Sequence, residues 1–117
     1  MNFKDLDVWQ NSFKLSVKII KITKTFPSEE KFSLTSQINR SAVSIPSNIA
    51  EGHGRDSKQD CIRFLNISKG SANELETQIM IAKELRYIEE EITNPIIQEI
   101  HTILKQLTNL QKALKNR

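Results

Sequence analysis

Apolar residues recur at three- and four-residue steps along almost the whole chain, and breaks in that rhythm divide it into four segments. In the first, Leu6, Trp9, Phe13, Val17 and Ile20 mark one face of a helix over about residues 5–25. Phe26-Pro27-Ser28 ends it, because the residue before a proline avoids the helical region. The second helix, over about 33–51, carries Leu34, Ile38, Ala42, Ile45 and Ile49. Pro46 lies inside that pattern and predicts a kink, since it removes a backbone donor and crowds the carbonyl four residues back. Gly52-His53-Gly54 then breaks the helix.

The third helix, over about 57–86, starts with Ser57 and Asp60 spaced as in a capping box. Cys61, Leu65, Ser68, Ala72, Leu75, Ile79 and Ala82 alternate steps of four and three, the rhythm of a bundle seam. The small residues in its middle, Ser68 and Ala72, predict close approach of a neighbour. The fourth helix, over about 89–115, presents Ile92, Ile96, Ile100, Ile103, Leu107, Leu110 and Leu114. Pro95 is tolerated only near a helix start, which puts the expected beginning at Thr93 or Asn94. Short linkers make sequential helices antiparallel neighbours. The expected fold is an all-α, up-down-up-down four-helix bundle in one domain over 1–117, with helix 2 kinked at Pro46.

Composition changes this picture little. Three glycines and three prolines leave few places for long loops, in keeping with helices. Cys61 is the only cysteine, which excludes a disulfide within the chain and a cysteine-built metal site. Lys4, Asp5 and Asp7 fall where a signal peptide would need an apolar run, and no uncharged apolar stretch is long enough for a membrane span. A cytoplasmic protein without membrane contact is expected.

Three features exceed a simple bundle. On helix 1, Val8, Leu15, Ile19, Ile22 and Phe26 form a second apolar stripe, roughly 145° from the first at 100° per residue. One core-facing stripe is about 100° wide, so the second needs another partner. A subunit interface is the expectation, ahead of a broad arc shared by two neighbouring helices. Val43 of helix 2 joins it, because from Ser33 through Ala50 only Arg40 is ionised and Val43 points away from the Leu34–Ile49 stripe.

The second feature is polar. Arg40, Ser44, Asn48 and Glu51 share one edge of helix 2 and face Ser71 and Glu74 of helix 3 across the hairpin. A buried arginine needs a carboxylate and further acceptors. Arg40 is therefore expected to be at least half-buried and paired with Glu74 or Glu51, as a packing network rather than a ligand site.

The third feature is basic. Lys14, Lys18 and Lys21 line one side of helix 1, and Lys112, Lys115 and Arg117 end a tail with no acid after Glu99. These cations are the candidate phosphate contacts, although the net charge is only +3.

Catalytic signatures are missing. A di-iron bundle needs Glu-x-x-His pairs, but Gln98 precedes His101 at that spacing and Glu51 precedes His53 by two. No GxSxG, HExxH or phosphate-binding glycine loop occurs, and Gly52-His53-Gly54-Arg55 reads as a helix–helix turn. No catalytic residue, metal or cofactor is expected.

Several strings together carry a family resemblance. They are Asp5-Leu6-Asp7-Val8-Trp9-Gln10, the run Arg40-Ser41-Ala42-Val43-Ser44-Ile45-Pro46-Ser47-Asn48-Ile49-Ala50-Glu51-Gly52, Arg63-Phe64-Leu65, and Glu74-Leu75-Glu76-Thr77-Gln78. The chain resembles the four-helix-bundle proteins encoded in intervening sequences of bacterial 23S ribosomal RNA genes. The accessory variability determinant of diversity-generating retroelements looks like a relative. The resemblance covers nearly the whole chain and is weakest in helix 4. It implies a homopentameric ring of bundles and, for the retroelement relatives, binding of structured RNA or DNA and of a reverse transcriptase. Two functions follow as expectations: a non-catalytic homo-oligomer that binds nucleic acid, or a scaffold that docks a protein partner and has no direct nucleic-acid role.

Overall fold

The computed structural model describes residues 2–117. Four helices make up the molecule: α1 (Asp7–Thr23), α2 (Leu34–His53), α3 (Lys58–Glu84) and α4 (Glu90–Lys115). Single 3₁₀ turns occupy Phe3–Asp5 and Ser28–Glu30, and no strand occurs among the described residues. The helical boundaries fall close to those the hydrophobic rhythm predicts, with one difference. α4 begins at Glu90, ahead of Thr93 and Asn94. Pro95 is tolerated a turn inside because the carbonyl it leaves unserved, that of Glu91, belongs to an exposed residue that solvent reaches. Pro46 is buried inside α2, and the helix runs through it.

Local chemistry fixes the ends. The Ser57 hydroxyl caps α3 by accepting from the Asp60 amide at 3.1 Å, as the Ser57–Asp60 spacing predicts. The Gly54 amide closes α2 on the carbonyls of Ala50 and Glu51. Arg86 turns the chain between α3 and α4 at φ 64°, a conformation costly for a residue with a Cβ. The Tyr87 amide then donates to the Ala82 carbonyl at 2.9 Å, which satisfies an otherwise orphaned acceptor at the end of α3.

α1 packs on α2 and α4, α2 on α3, and α3 on α4; the α2–α3 seam is the most extensive and the α1–α4 seam the slightest. Across α1 and α4, Asn11 meets Gln106 and Lys18 meets Glu99. Across α3 and α4, Lys69 meets Gln111, Glu76 meets His101 and Lys83 meets Glu90. In each pair of helices the partner number falls as the residue number rises, the order in which antiparallel neighbours meet.

The core contains the expected residues of three helices: Ile38, Ala42, Ile45 and Ile49 of α2; Leu65, Ala72, Leu75, Ile79 and Ala82 of α3; Ile96, Ile100, Ile103, Leu107 and Leu114 of α4. Leu34, Cys61 and Leu110 sit half-buried at its margin, and Ile92, at the first turn of α4, is exposed.

On α1 the two stripes exchange roles. Leu15 is 2% exposed and Ile19 0%, and Val8 and Phe26 are buried with them. Ile22 packs half-buried against the same core. These five residues, expected at a subunit interface, belong to the interior of the single chain. Of the stripe expected inside, Phe13 is 47% and Val17 39% exposed, while Leu6, Trp9 and Ile20 are half-buried. Periodicity yields two stripes and does not say which faces inward. The difference lies in the residues beside them. Ser12, Ser16 and Thr23 flank the Leu15–Ile19 stripe and are buried. Each donates its hydroxyl to the carbonyl three residues back, at 2.7–3.1 Å, so burial leaves no donor unserved. Being small, they let α2 approach on that side.

Candidate assembly face and nucleic-acid interface

The Thr23 hydroxyl also contacts Asn39 Oδ1 at 2.9 Å, which places the α2 side of α1. Trp9, Phe13, Val17 and Ile20 follow next around the helix at 100° per residue, so the outward stripe borders α2. Val43, one turn beyond Asn39, is exposed on the α2 side of this border. The aromatic end of the stripe is internally ordered. Trp9 and Phe13 stack with centroids 5.0 Å apart and planes at 22°, and Phe3 meets Trp9 edge-on at 5.3 Å. The result is an apolar surface spanning two helices, and one of those helices is almost without charge.

Three of the six residues expected in a polar network come together. Ser44 Oγ and Ser71 Oγ are 2.7 Å apart, and Asn48 Nδ2 donates to both the carbonyl and the hydroxyl of Ser44 at 2.9 Å. Ser68, on the α3 side of the same seam, donates its hydroxyl to the Ile45 carbonyl at 2.9 Å and is fully buried. Arg40, Glu51 and Glu74 are not part of it. All three are exposed. Glu51 pairs with Arg55 at 2.9 Å one turn along its own helix, and among the described residues no ion pair holds Arg40. The physical reason is the small size of the seam: serines already satisfy each other there, and no buried charge remains to be neutralised.

The cations fall into two groups. Lys14 and Lys18 face α4, and Lys18 Nζ is 3.0 Å from Glu99 Oε1. Lys21 is exposed one turn further along α1. Lys112, Lys115 and Arg117 are exposed beyond the Asn11–Gln106 contact, at the end of the bundle where the Lys58 ammonium donates to the Arg117 carbonyl at 2.7 Å. Sequence reasoning missed a further basic cluster nearby. Arg55 and Arg63 both lie over the Phe64 ring, at 4.7 and 4.5 Å from its centre. Only folding reveals it, because the two arginines belong to different elements. Each also has its own carboxylate, Glu51 and Asp60 respectively.

Reactive chemistry has little support among these residues. Burial pushes the Cys61 thiol above its ordinary range, the opposite of activation. Among the described residues no group of three or more His, Cys, Asp or Glu side chains is placed to hold a metal ion. None of the helices is long and apolar enough to cross a membrane.

Comparison with known proteins supplies the lineage. No curated protein matches the chain. Among solved structures it is similar to a protein of unknown function from the S23 ribosomal protein family of Bacteroides thetaiotaomicron VPI-5482. The identity is 33%, the TM-score is 0.83, and the match covers 90% of this chain and 98% of that one. The family model for 23S rRNA-intervening sequence proteins matches residues 4–109, which takes in all but the last turns of α4. The family model spans most of α1–α4 and the fold match covers 90% of the chain, and the chain belongs to the 23S rRNA-intervening sequence protein family.

Proposed function

We propose that the chain is a non-catalytic bundle that assembles with copies of itself through the outer α1–α2 face and binds structured RNA or DNA through its lysines. The observation that carries the assembly is the exposed Phe13–Val17 stripe, bordered by Trp9, Ile20 and Val43. Contiguous apolar surface of this kind marks an interaction site. Five copies is the number that the family resemblance implies. Lys14 and Lys18 point away from this face toward α4, so assembly leaves them accessible. Lysine heads on flexible stems suit a phosphate backbone and do not read bases. One subunit would bind weakly, and a ring would add the subunits' effects by multivalency.

Sedimentation equilibrium at micromolar concentration tests the assembly. Phe13→Glu with Val17→Glu should reduce the mass to 13.5 kDa and leave helicity intact. Leu15→Glu with Ile19→Glu should instead unfold the chain, because both are core residues. A wild-type mass of 13.5 kDa would overturn self-assembly. For nucleic acid the measurement is gel retardation against salt, with an expected log–log slope of about −0.7 to −0.9 per neutralised phosphate. Absence of retardation at about 50 mM salt and tens of micromolar protein would defeat that half of the reading.

The alternative is a scaffold for another protein. It draws support from Phe32, which is 89% exposed between α1 and α2. Tyr87 donates to Glu30 and thereby joins the α1–α2 and α3–α4 connections, so Leu85, also exposed, lies at the same end of the bundle.

A further inference from the structure

The slightest seam of the bundle, between α1 and α4, holds a cleft of about 400 Å³. That volume lies in the range of roughly 300–1,000 Å³ typical of small-ligand sites. Leu15 and Ile103 form its floor. The stems of Lys14 and Lys18 form one wall, and Gln98, Glu99 and Thr102 the other. Lysine stems present hydrocarbon to whatever lies between them while their ammonium groups stay at the mouth. The two ammonium groups are not equivalent. Lys18 is held across the seam by Glu99, whereas among the described residues Lys14 has no carboxylate partner. The site therefore combines an apolar floor, one uncompensated cation and a wall bearing a carboxamide, a hydroxyl and a carboxylate.

We infer that this cleft seats one unpaired nucleotide of a bound strand, with its base between the walls and its phosphate on Lys14. The inference rests on the nucleic-acid reading above and names the part of the strand that the site takes. A base edge needs donors and acceptors together. Gln98 supplies both, Thr102 supplies both, and the Glu99 carboxylate accepts. Lys21, two turns from Lys14 on the same side of α1, is placed for a neighbouring phosphate. A paired base cannot enter a cleft between two helices without leaving its stack, so the site favours single strands, loops and bulges over duplex.

Fluorescence anisotropy with a labelled short oligouridylate and a blunt RNA duplex of equal length tests this. Thr102 is exposed at the rim, so Thr102→Trp should fill the cleft without changing charge or disturbing the core. Single-strand affinity should fall about tenfold or more, the scale of one lost base contact, while duplex affinity stays within about twofold. Lys14→Gln should lower the single-strand affinity more than the duplex affinity, which loses only a backbone contact, and serves if the tryptophan variant does not fold. Lys112→Gln with Lys115→Gln should weaken both ligands alike. If Thr102→Trp, natively helical by circular dichroism, leaves the single-strand affinity unchanged, or lowers both affinities equally, the cleft is not a nucleotide seat, and binding by the wild type still supports the broader reading. If the wild type binds neither ligand, the broader reading falls and this inference with it.

Discussion

Where α2 meets α3 the facing residues are small: Ser44, Ser68, Ser71 and, at the end of α2, Gly52. Where α1 meets α4 they are long: Lys14, Lys18, Gln98 and Glu99. Both seams bear polar groups, yet they use them in opposite ways. Serine hydroxyls are short enough to bond across two helices in close contact, and they occupy little of the space between them. Lysine and glutamate reach each other only by arching over the gap, and the space beneath remains as a cleft. Side-chain size thus decides which pair of helices becomes a rigid hairpin and which becomes a candidate site.

Substitutions at the two seams should therefore differ in kind. The largest effect is expected at Ile45, 1% exposed in the close seam, where Ile45→Ala should cost about 2–5 kcal/mol of unfolding free energy in urea titration. Gly52→Ala comes next. A Cβ there would stand 2.9 Å from Phe64 Cβ and 3.1 Å from the Cys61 carbonyl oxygen, and backbone can yield only by moving α3. A loss of about 1–3 kcal/mol is the expected penalty of overpacking. Ser68→Ala removes the single bond to the Ile45 carbonyl and should cost about 1 kcal/mol.

At the open seam, Glu99→Gln breaks a pair whose side chains are 42% and 44% exposed, and a loss of no more than about 1 kcal/mol, shrinking with added salt, is expected. A thermal-melt series that ranked Glu99→Gln above Gly52→Ala would reverse the comparison. Arg40→Ala gives the smallest change, within about 0.5 kcal/mol, because the guanidinium is exposed and without a carboxylate partner among the described residues.

A different contact adds a pH signature. The Ser33 hydroxyl and then the Tyr87 phenol hold the Glu30 carboxyl below its usual range, and the bond to Glu30 raises the Tyr87 phenol above its own. A lowered carboxyl contributes stability above its unfolded value and loses it as pH falls through the folded one. A raised phenol contributes below its unfolded value and loses it as pH rises through the folded one. The clasp between the two connections should therefore weaken in acid and in strong base. In melts across that range, Tyr87→Phe should abolish the alkaline loss and reduce the acid loss only in part, since the Ser33 hydroxyl still holds the Glu30 carboxyl low.

The order and kind of the elements were legible from spacing alone. Three- and four-residue steps fix four helices, the Ser57–Asp60 pair fixes the start of α3, and the unbroken seam from Leu65 to Ala82 is buried as its rhythm requires. Helix periodicity is a local property, set by 3.6 residues per turn, and it survives in any context. Which of two apolar stripes faces inward is not local. Leu15 and Ile19 are inside, and Phe13 and Val17 outside, because Ser12, Ser16 and Thr23 let α2 close on one side only. Arg40 presented the same limit. Its isolation on an uncharged helix suggested burial, but only the packed seam reveals that serines already satisfied each other there. The cleft beside Lys14 and Lys18 was equally invisible, since it is a gap between residues some eighty positions apart in the chain. Sequence sets the pattern on each helix surface; the sizes of side chains meeting across helices decide which surfaces close, and that meeting exists only in the folded protein.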